Sequence, residues 1–428
     1  MKKFVSVILC GVLLISGLPV FAQATETERN EVSLEEFTNQ LSDMIEKYDT
    51  NTFEPEEYAV NSVESFSVCA DEEEETDELS SYSTDRLIVK ADGDIDTLDA
   101  VACIEGYNDL HILQFDDNKS AMEALEYYES CKDVEYAQED EINRLMDFEI
   151  LKSSYTDTTL HEYMVEDANT LGFTPLRKKL TDSGVNYTGQ LTVAVIDTGI
   201  AYDHDLLKDR VDPNGFNAID STASCYDDNG HGTHVSGIIV ANTFDNVTIK
   251  PYKVLNSEGR GTDAQTVLGV EAAIADGVDI INMSFGRRGD NPAMDEALAK
   301  AHRKGIKLVA AAGNDGVNMD SISYTPACCD NVITVMAFDG AMLRRVSFSN
   351  YGSMCETAAV GYMVVSSYLD NTYAMADGTS QAAPYVTAAL TYLVLDNPRI
   401  TYSQIVDRID QYEWREGMYI EFILDEDI

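Results

Sequence analysis

The sequence predicts an α/β fold, a parallel sheet flanked by helices on both faces, preceded by a small α+β module. Two observations predict it. Apolar runs at 191–196, 249–255, 280–284, 306–311 and 332–337 alternate with helical patterns that include 263–275 and 292–303. Buried strands alternating with helices imply a parallel sheet covered on both sides. Upstream, 87–90, 111–115 and 134–137 read as strands and 121–131 as an amphipathic helix, the content of a smaller, separate unit.

Along the chain, residues 1–24 carry two lysines, an apolar stretch from Phe4 to Phe21 and small residues at Ala22 and Ala24. That is the layout of an export signal, with an uncleaved anchor or a buried helix as the alternatives. Residues 25–84 are acidic and irregular and end in the run Asp71 to Glu78, which is too charged to pack and reads as a solvated spacer. The module follows over 85–146 and ends in Glu139-Asp-Glu-Ile-Asn-Arg-Leu145, and the large domain takes 147–428. No segment after the first 24 residues is long and apolar enough to span a bilayer.

The formal net charge is −47 over 428 residues. Such a surface repels nucleic acid and anionic membranes, and its simplest consequence is solubility. Of the 8 cysteines, Cys225, Cys328, Cys329 and Cys355 lie in the large domain. Their spacing leaves pairing open, although adjacent Cys328 and Cys329 are poorly placed to bond to each other. Zinc is disfavoured, because the spacings that bring Cys and His together are absent.

Three segments carry chemistry: Val193-Ala-Val-Ile-Asp197-Thr-Gly199, Asn229-Gly-His231-Gly-Thr-His234-Val-Ser-Gly237 and Gly378-Thr-Ser380-Gln-Ala-Ala-Pro384. A serine hydroxyl is a weak nucleophile and needs a base to take its proton. His231 is the candidate base and Ser380 the candidate nucleophile. Gly378 permits a tight approach before Ser380, and Pro384 suits the first turn of the helix that follows. Alone, Gly-Thr-Ser is an ordinary helix cap, and an asparagine such as Asn314 in Ala310-Ala-Ala-Gly313-Asn314-Asp315 is often a turn residue. Asp197, Ser284 and Asn314 each follow directly on a strand run, and such sheets place their sites at carboxyl ends of strands.

Taken in the order Asp, His, Ser, the three segments resemble those of the subtilisin family of serine peptidases. The resemblance covers 190–400 closely, and the module more loosely resembles the family's inhibitory propeptide; a plain accessory domain is the alternative. It implies Ser380 as nucleophile, His231 as base and Asp197 as the group that orients and stabilises the histidine. Asn314 and the Ser380 N–H would bind the oxyanion. Ser284, Phe285 and Gly286 and the segment holding Gly259 and Gly261 would be the two edges that bind an extended peptide. Tyr324 falls on the back wall of the pocket for the residue before the cut bond, which predicts a shallow pocket favouring small or medium side chains. His234 reads as a structural histidine. Asp227 and Asp228 read either as a solvated loop or as a lure for a basic substrate side chain. Gln381 stands where the family commonly carries methionine.

The implied protein is a secreted, extracellular serine endopeptidase, made as a self-processed proenzyme and acting as a monomer. Its partners are peptide or protein substrates and its own propeptide, with no nucleic acid and no membrane once the signal is removed. A rival is a catalytically silent homologue that binds peptides. No cofactor is predicted. Calcium stays open, but 235–251 leaves little chain for the family's tight calcium loop.

Overall fold

The computed structural model describes residues 85–411, apart from 94, 106–108, 146–149, 152–172, 183–186, 188, 222 and 342–343. The expected export signal and acidic spacer lie outside the described residues.

The module is an antiparallel sheet of β1 (Arg86–Ala91), β2 (Ala102–Glu105), β3 (Leu110–Gln114) and β4 (Val134–Glu139), in the order β2-β3-β1-β4, crossed by helix α1 (Asn118–Ser130). Asp117 caps the helix by accepting the Ser120 N–H at 2.7 Å. Alternation along the strands gives the sheet two apolar faces. Leu87, Val89 and Leu113 meet Ala121, Ala124 and Tyr128 of the helix in the module's own core. Ile88, Leu110 and Ile112 on the other face join the core of the large domain. The chain then leaves through β5 (Ile142–Arg144) and β6 (Ile150–Leu151).

The large domain continues as α2 (Phe173–Asp182), β7 (Leu191–Asp197), β8 (Phe216–Asn217), α3 (His231–Ala241), β9 (Val247–Lys253), β10 (Arg260–Thr262) and α4 (Asp263–Asp276). Next come β11 (Ile280–Met283), β12 (Arg287–Arg288), α5 (Pro292–Arg303), β13 (Lys307–Ala311), β14 (Tyr324–Thr325), β15 (Val332–Asp339), β16 (Arg344–Arg345) and β17 (Thr357–Val360). The hairpin of β18 (Val364–Tyr368) and β19 (Thr372–Ala376) leads into α6 (Thr379–Asp396), and α7 (Tyr402–Gln411) follows.

The main sheet runs β8-β9-β7-β11-β13-β15-β17 with every pair parallel, and β16 adds an antiparallel edge to β15. After β7 the chain first builds β9 on one side and then crosses to β11 on the other. That reversal opens a crevice at the carboxyl end of β7, where Asp197 sits. Helices α3 and α6 are buried on nearly every side, which explains their continuous apolar and small-residue sequences.

Candidate active site

Asp197 ends β7 and His231 begins α3, and both are fully buried. The His231 Nδ1 lies 2.8 Å and 3.0 Å from the two Asp197 carboxylate oxygens. A Thr198 N–H donates to Asp197 Oδ1 at 2.7 Å, so the carboxylate is fixed from the strand side as well. The helix can come this close because residue 232 is glycine. A Cβ there would stand 2.2 Å from the Gly199 carbonyl oxygen and 3.2 Å from Asp197 Oδ1.

Asp227 corrects both readings made of it from sequence. It is buried and accepts from Thr198 Oγ1, the Gly230 N–H, and the Thr233 N–H and hydroxyl at 2.6–3.0 Å. A carboxylate at the start of α3 satisfies orphan helix donors and favours the dipole. Asp228 pairs with Lys253 at 2.7 Å, which leaves neither acid as a free lure for substrate. His234 is buried with Nε2 3.1 Å from the Ala374 carbonyl oxygen, and burial lowers it to about 3, so it is neutral and structural.

Ser380 is the second residue of α6, after Gly378 at φ 149°. Its Oγ donates to the Ser284 carbonyl oxygen at 2.9 Å, and Ser284 Oγ donates back to the Ser380 carbonyl oxygen at 3.0 Å. Pro384 stands inside α6 at its sixth residue, not in the first turn as expected. Proline has no N–H to give the carbonyl four residues earlier, which is that of Ser380. Ser284 supplies the missing donor.

Asn314 follows β13, and its Oδ1 accepts from the Thr379 N–H at 2.9 Å and the Thr379 hydroxyl at 2.8 Å. Those two donors fix which end of the amide is oxygen, so the NH2 end faces Gly378. A Cβ on Gly378 would meet it at 3.1 Å. The loop is held by Asn350, which accepts from the Asp315 and Val317 N–H groups at 3.1 Å and donates to the Ala312 carbonyl oxygen at 2.9 Å. Sequence reading missed both Thr379 and Asn350.

Two edges bound a groove, and the chain's own β5 lies in it. β5 pairs antiparallel with β10, Asn143 opposite Gly261 and Arg144 opposite Arg260. On the other side Arg144 exchanges both backbone hydrogen bonds with Gly286, at 3.3 and 3.4 Å. The Leu145 N–H then donates to the Gly259 carbonyl oxygen at 2.9 Å. Glycine is required at 259, where φ is 71° and a Cβ would stand 2.6 Å from Leu145 Cδ1. Further along the chain, β6 pairs with β19, Ile150 opposite Ala376. Phe285 departs from the expected groove lining: its side chain is fully buried core, and the groove's bonds on that edge come from Gly286. Ser284 is fully buried and bonds to Ser380 through both its hydroxyl and its carbonyl oxygen.

The module docks on the same side. Asp140 accepts from the Ala264 N–H at 2.8 Å and pairs with Arg86 at 2.7 Å, and Gln138 accepts from the Ala293 N–H at 3.1 Å. Lys90 pairs with Glu296 at 2.9 Å. Burial pushes the Asp140 carboxyl up to about 6, against the pull of Arg86 and the Ala264 N–H. A raised carboxyl favours the docked form when protonated, so that contribution is complete below the ordinary carboxyl range and is lost as pH rises through about 6. Once the chain is cut, the module is expected to dissociate about tenfold more readily at pH 7 than at pH 5. The fraction of module co-eluting with the enzyme in gel filtration checks this, and Asp140→Asn should flatten the difference. Equal retention by the wild type at both pH values would contradict it.

Tyr324 is buried, and its hydroxyl accepts from Arg288 Nε at 2.9 Å. Arg288 in turn holds Asp315, next to Asn314, at 3.1 Å. The ring is therefore fixed beside the loop of Asn314. If Tyr324 forms the back wall that the family resemblance implies, Tyr324→Gly is expected to broaden cleavage toward Phe and Tyr before the cut bond, because removing a ring would enlarge that pocket. Equal cleavage after Ala and Phe by both forms would remove the idea.

Among the described residues, Cys131, Cys225, Cys328, Cys329 and Cys355 are free thiols, and no three His, Cys, Asp or Glu side chains form a metal cage.

The subtilase family model matches residues 188–411. Subtilisin DY of Bacillus licheniformis is 39% identical over 246 residues, 55% of this chain and 88% of that one. The minor extracellular protease Epr of Bacillus subtilis (strain 168) is 39% identical over 224 residues, 50% of this chain but 34% of that one. A crystal structure of a lanthipeptide protease matches with a TM-score of 0.53 over 61% of this chain and 94% of that one, a likeness of fold alone at 23% identity. The chain belongs to the subtilase family and is a serine-type endopeptidase acting on peptide or protein substrates.

Proposed function

We propose that the chain is exported as a precursor, cuts itself within 145–150, and then hydrolyses peptide bonds through an acyl-enzyme on Ser380. The observation that carries this reading is the path of the chain. β5 lies in the groove on one side of Ser380, and β6 pairs with the strand that leads into Ser380 on the other. A substrate strand gains the same main-chain bonds whatever its sequence. The module of 85–146 then acts as the propeptide that blocks the groove until it is released.

In each turnover His231 takes the Ser380 Oγ proton as Oγ bonds to the carbonyl carbon. Asp197 holds the histidine tautomer and stabilises the imidazolium. The new oxyanion accepts from the Ser380 N–H and the Asn314 amide. His231 returns the proton to the leaving amine, the C–N bond breaks, and water repeats the sequence on the ester. For the first step the Ser380 hydroxyl must turn from the Ser284 carbonyl to His231, a change that catalytic hydrogen bonds often make when substrate binds. A fluorophosphonate probe should label Ser380 alone, and His231→Ala should abolish labelling. No adduct in a preparation that hydrolyses protein would overturn the assignment.

Export is supported by the pattern of 1–24 and by the extracellular relative. Among the described residues no helix is long and apolar enough to cross a membrane. The enzyme works as a monomer.

The chain does not fit the family's tight calcium site. α3 runs unbroken to Ala241, and only 242–246 link it to β9. Asn242 and Thr243 in that link donate their side chains to helix carbonyls at 2.8 and 2.9 Å. Excess EDTA is therefore expected to lower the Tm of the mature enzyme only slightly, since a ligand stabilises in proportion to ln(1 + [L]/Kd). A large drop restored by calcium would contradict this.

A further inference from the structure

Asn143 is the one side chain of β5 that is both buried and held by a charged group of the large domain. It is 1% exposed and lies opposite Gly261. Its Nδ2 donates to Oδ1 of Asp263 at 2.6 Å. Asp263 is fully buried, and Arg287 grips both its oxygens, Nε on Oδ1 at 3.1 Å and a terminal nitrogen on Oδ2 at 2.6 Å. Gln138 approaches Oδ2 at 3.5 Å, and Glu141 pairs with the other end of Arg287. Asn143, Gln138 and Glu141 depart with the module. Asp263 and Arg287 belong to the large domain and remain to line the groove.

We propose that Asp263, locked by Arg287, determines specificity at the position opposite Gly261, and that it selects substrates with a neutral amide side chain there, asparagine foremost. The inference rests on the reading of 142–145 as a substrate-like strand. An apolar side chain at that position would take from the buried Oδ1 the shorter of its two bonds and leave it only Arg287 Nε at 3.1 Å, a loss of a charge-assisted hydrogen bond with nothing to replace it. An acidic side chain would meet the Asp263 charge directly. Lysine or arginine would bring a second cation beside Arg287, which has already neutralised Asp263. The subsite is thus an acceptor without net charge, and an amide N–H satisfies it without adding one. Glutamine carries the same group one methylene further out and ranks second.

The test uses mature enzyme and quenched peptides that copy 141–150 with Asn, Gln, Val, Asp or Lys in place of Asn143, with cut sites read by mass spectrometry. One bond should be cut, with kcat/KM for the Asn peptide roughly tenfold or more above those for Val, Asp and Lys. Asp263→Ala should bring Asn and Val to within about twofold. Arg287→Ala should instead raise the Lys peptide above the Asn peptide, because the Asp263 charge is then uncovered. These ratios compare peptides on one preparation and do not depend on the fraction that is folded. Five peptides cut at one bond at similar rates by the wild type would overturn selection by Asp263 and leave the register standing. If Arg287→Ala failed to favour lysine, the neutralising lock would be wrong. Peptides left intact or cut at scattered bonds, while a general protein substrate is hydrolysed, would overturn the substrate-like register itself.

Discussion

Ser380→Ala is expected to lower kcat by about 10⁶, a magnitude carried over from subtilisin, while the fold is retained. The Ser284 Oγ is committed to the Ser380 carbonyl oxygen and is fully buried. The substitution removes one oxygen and leaves the N–H of residue 380, so the oxyanion donors and the groove survive. Because this variant keeps its module, the module is first cut off with an added protease that is then inactivated; substrate binding should then change little, and the loss should fall on kcat. Steady-state kinetics on a chromogenic peptide, with a thermal melt as the control, reads both. Residual activity within about a hundredfold of the wild type would mean that another nucleophile operates.

Asn314→Leu is expected to lower kcat by about 10² to 10³ with KM nearly unchanged, again by analogy with subtilisin. The physical reason lies in the two Thr379 bonds, which turn the amide so that its NH2 end is presented toward Gly378 before substrate arrives. A donor already oriented requires no reorganisation when charge develops on the carbonyl oxygen, and its contribution is to the transition state alone. Leucine is similar in volume but has no donor. A change confined to KM would assign Asn314 to ground-state binding and contradict the role. Thr379→Val should give a smaller loss of the same kind, since it takes away one of the two bonds that set the amide's orientation.

The strands and helices that build the cleft were legible because their signals are local. β7, β11 and β13 are apolar runs ended by Asp, Ser or Asn, and α5 is bounded by Asn291-Pro292 at its start and Arg303 at its end. What depends on distant partners was not legible. Ile142–Arg144 reads as the tail of a module because its pairing partners at 260–262 and 286 lie more than a hundred residues away. β2 is a four-residue strand, Ala-Cys-Ile-Glu, with no clear period of two, and it exists because Leu113 and its neighbours offer an edge. The hairpin of β18 and β19 was likewise missed. Asp227 was misread for a related reason, whereas Asp228 stands in an exposed loop, one of the two readings made of it. In a chain with 76 acidic residues another pair suggests solvent, and only the fold brings Thr198, Thr233 and Lys253 around them. The Asp263–Arg287 pair gave no sign in sequence, since its meaning comes from the segment that lies across it.

The central claim is that this chain, held in its own groove, is the first substrate of Ser380. The N-terminal sequence of the mature protein tests it most directly, measured for the wild type and for Ser380→Ala, both purified from a host free of other proteases. The wild type is expected to begin at a residue within 146–150, and the variant to stay joined to its module. A wild-type terminus upstream of β1 or downstream of β6, or an identical terminus in the variant, would contradict it.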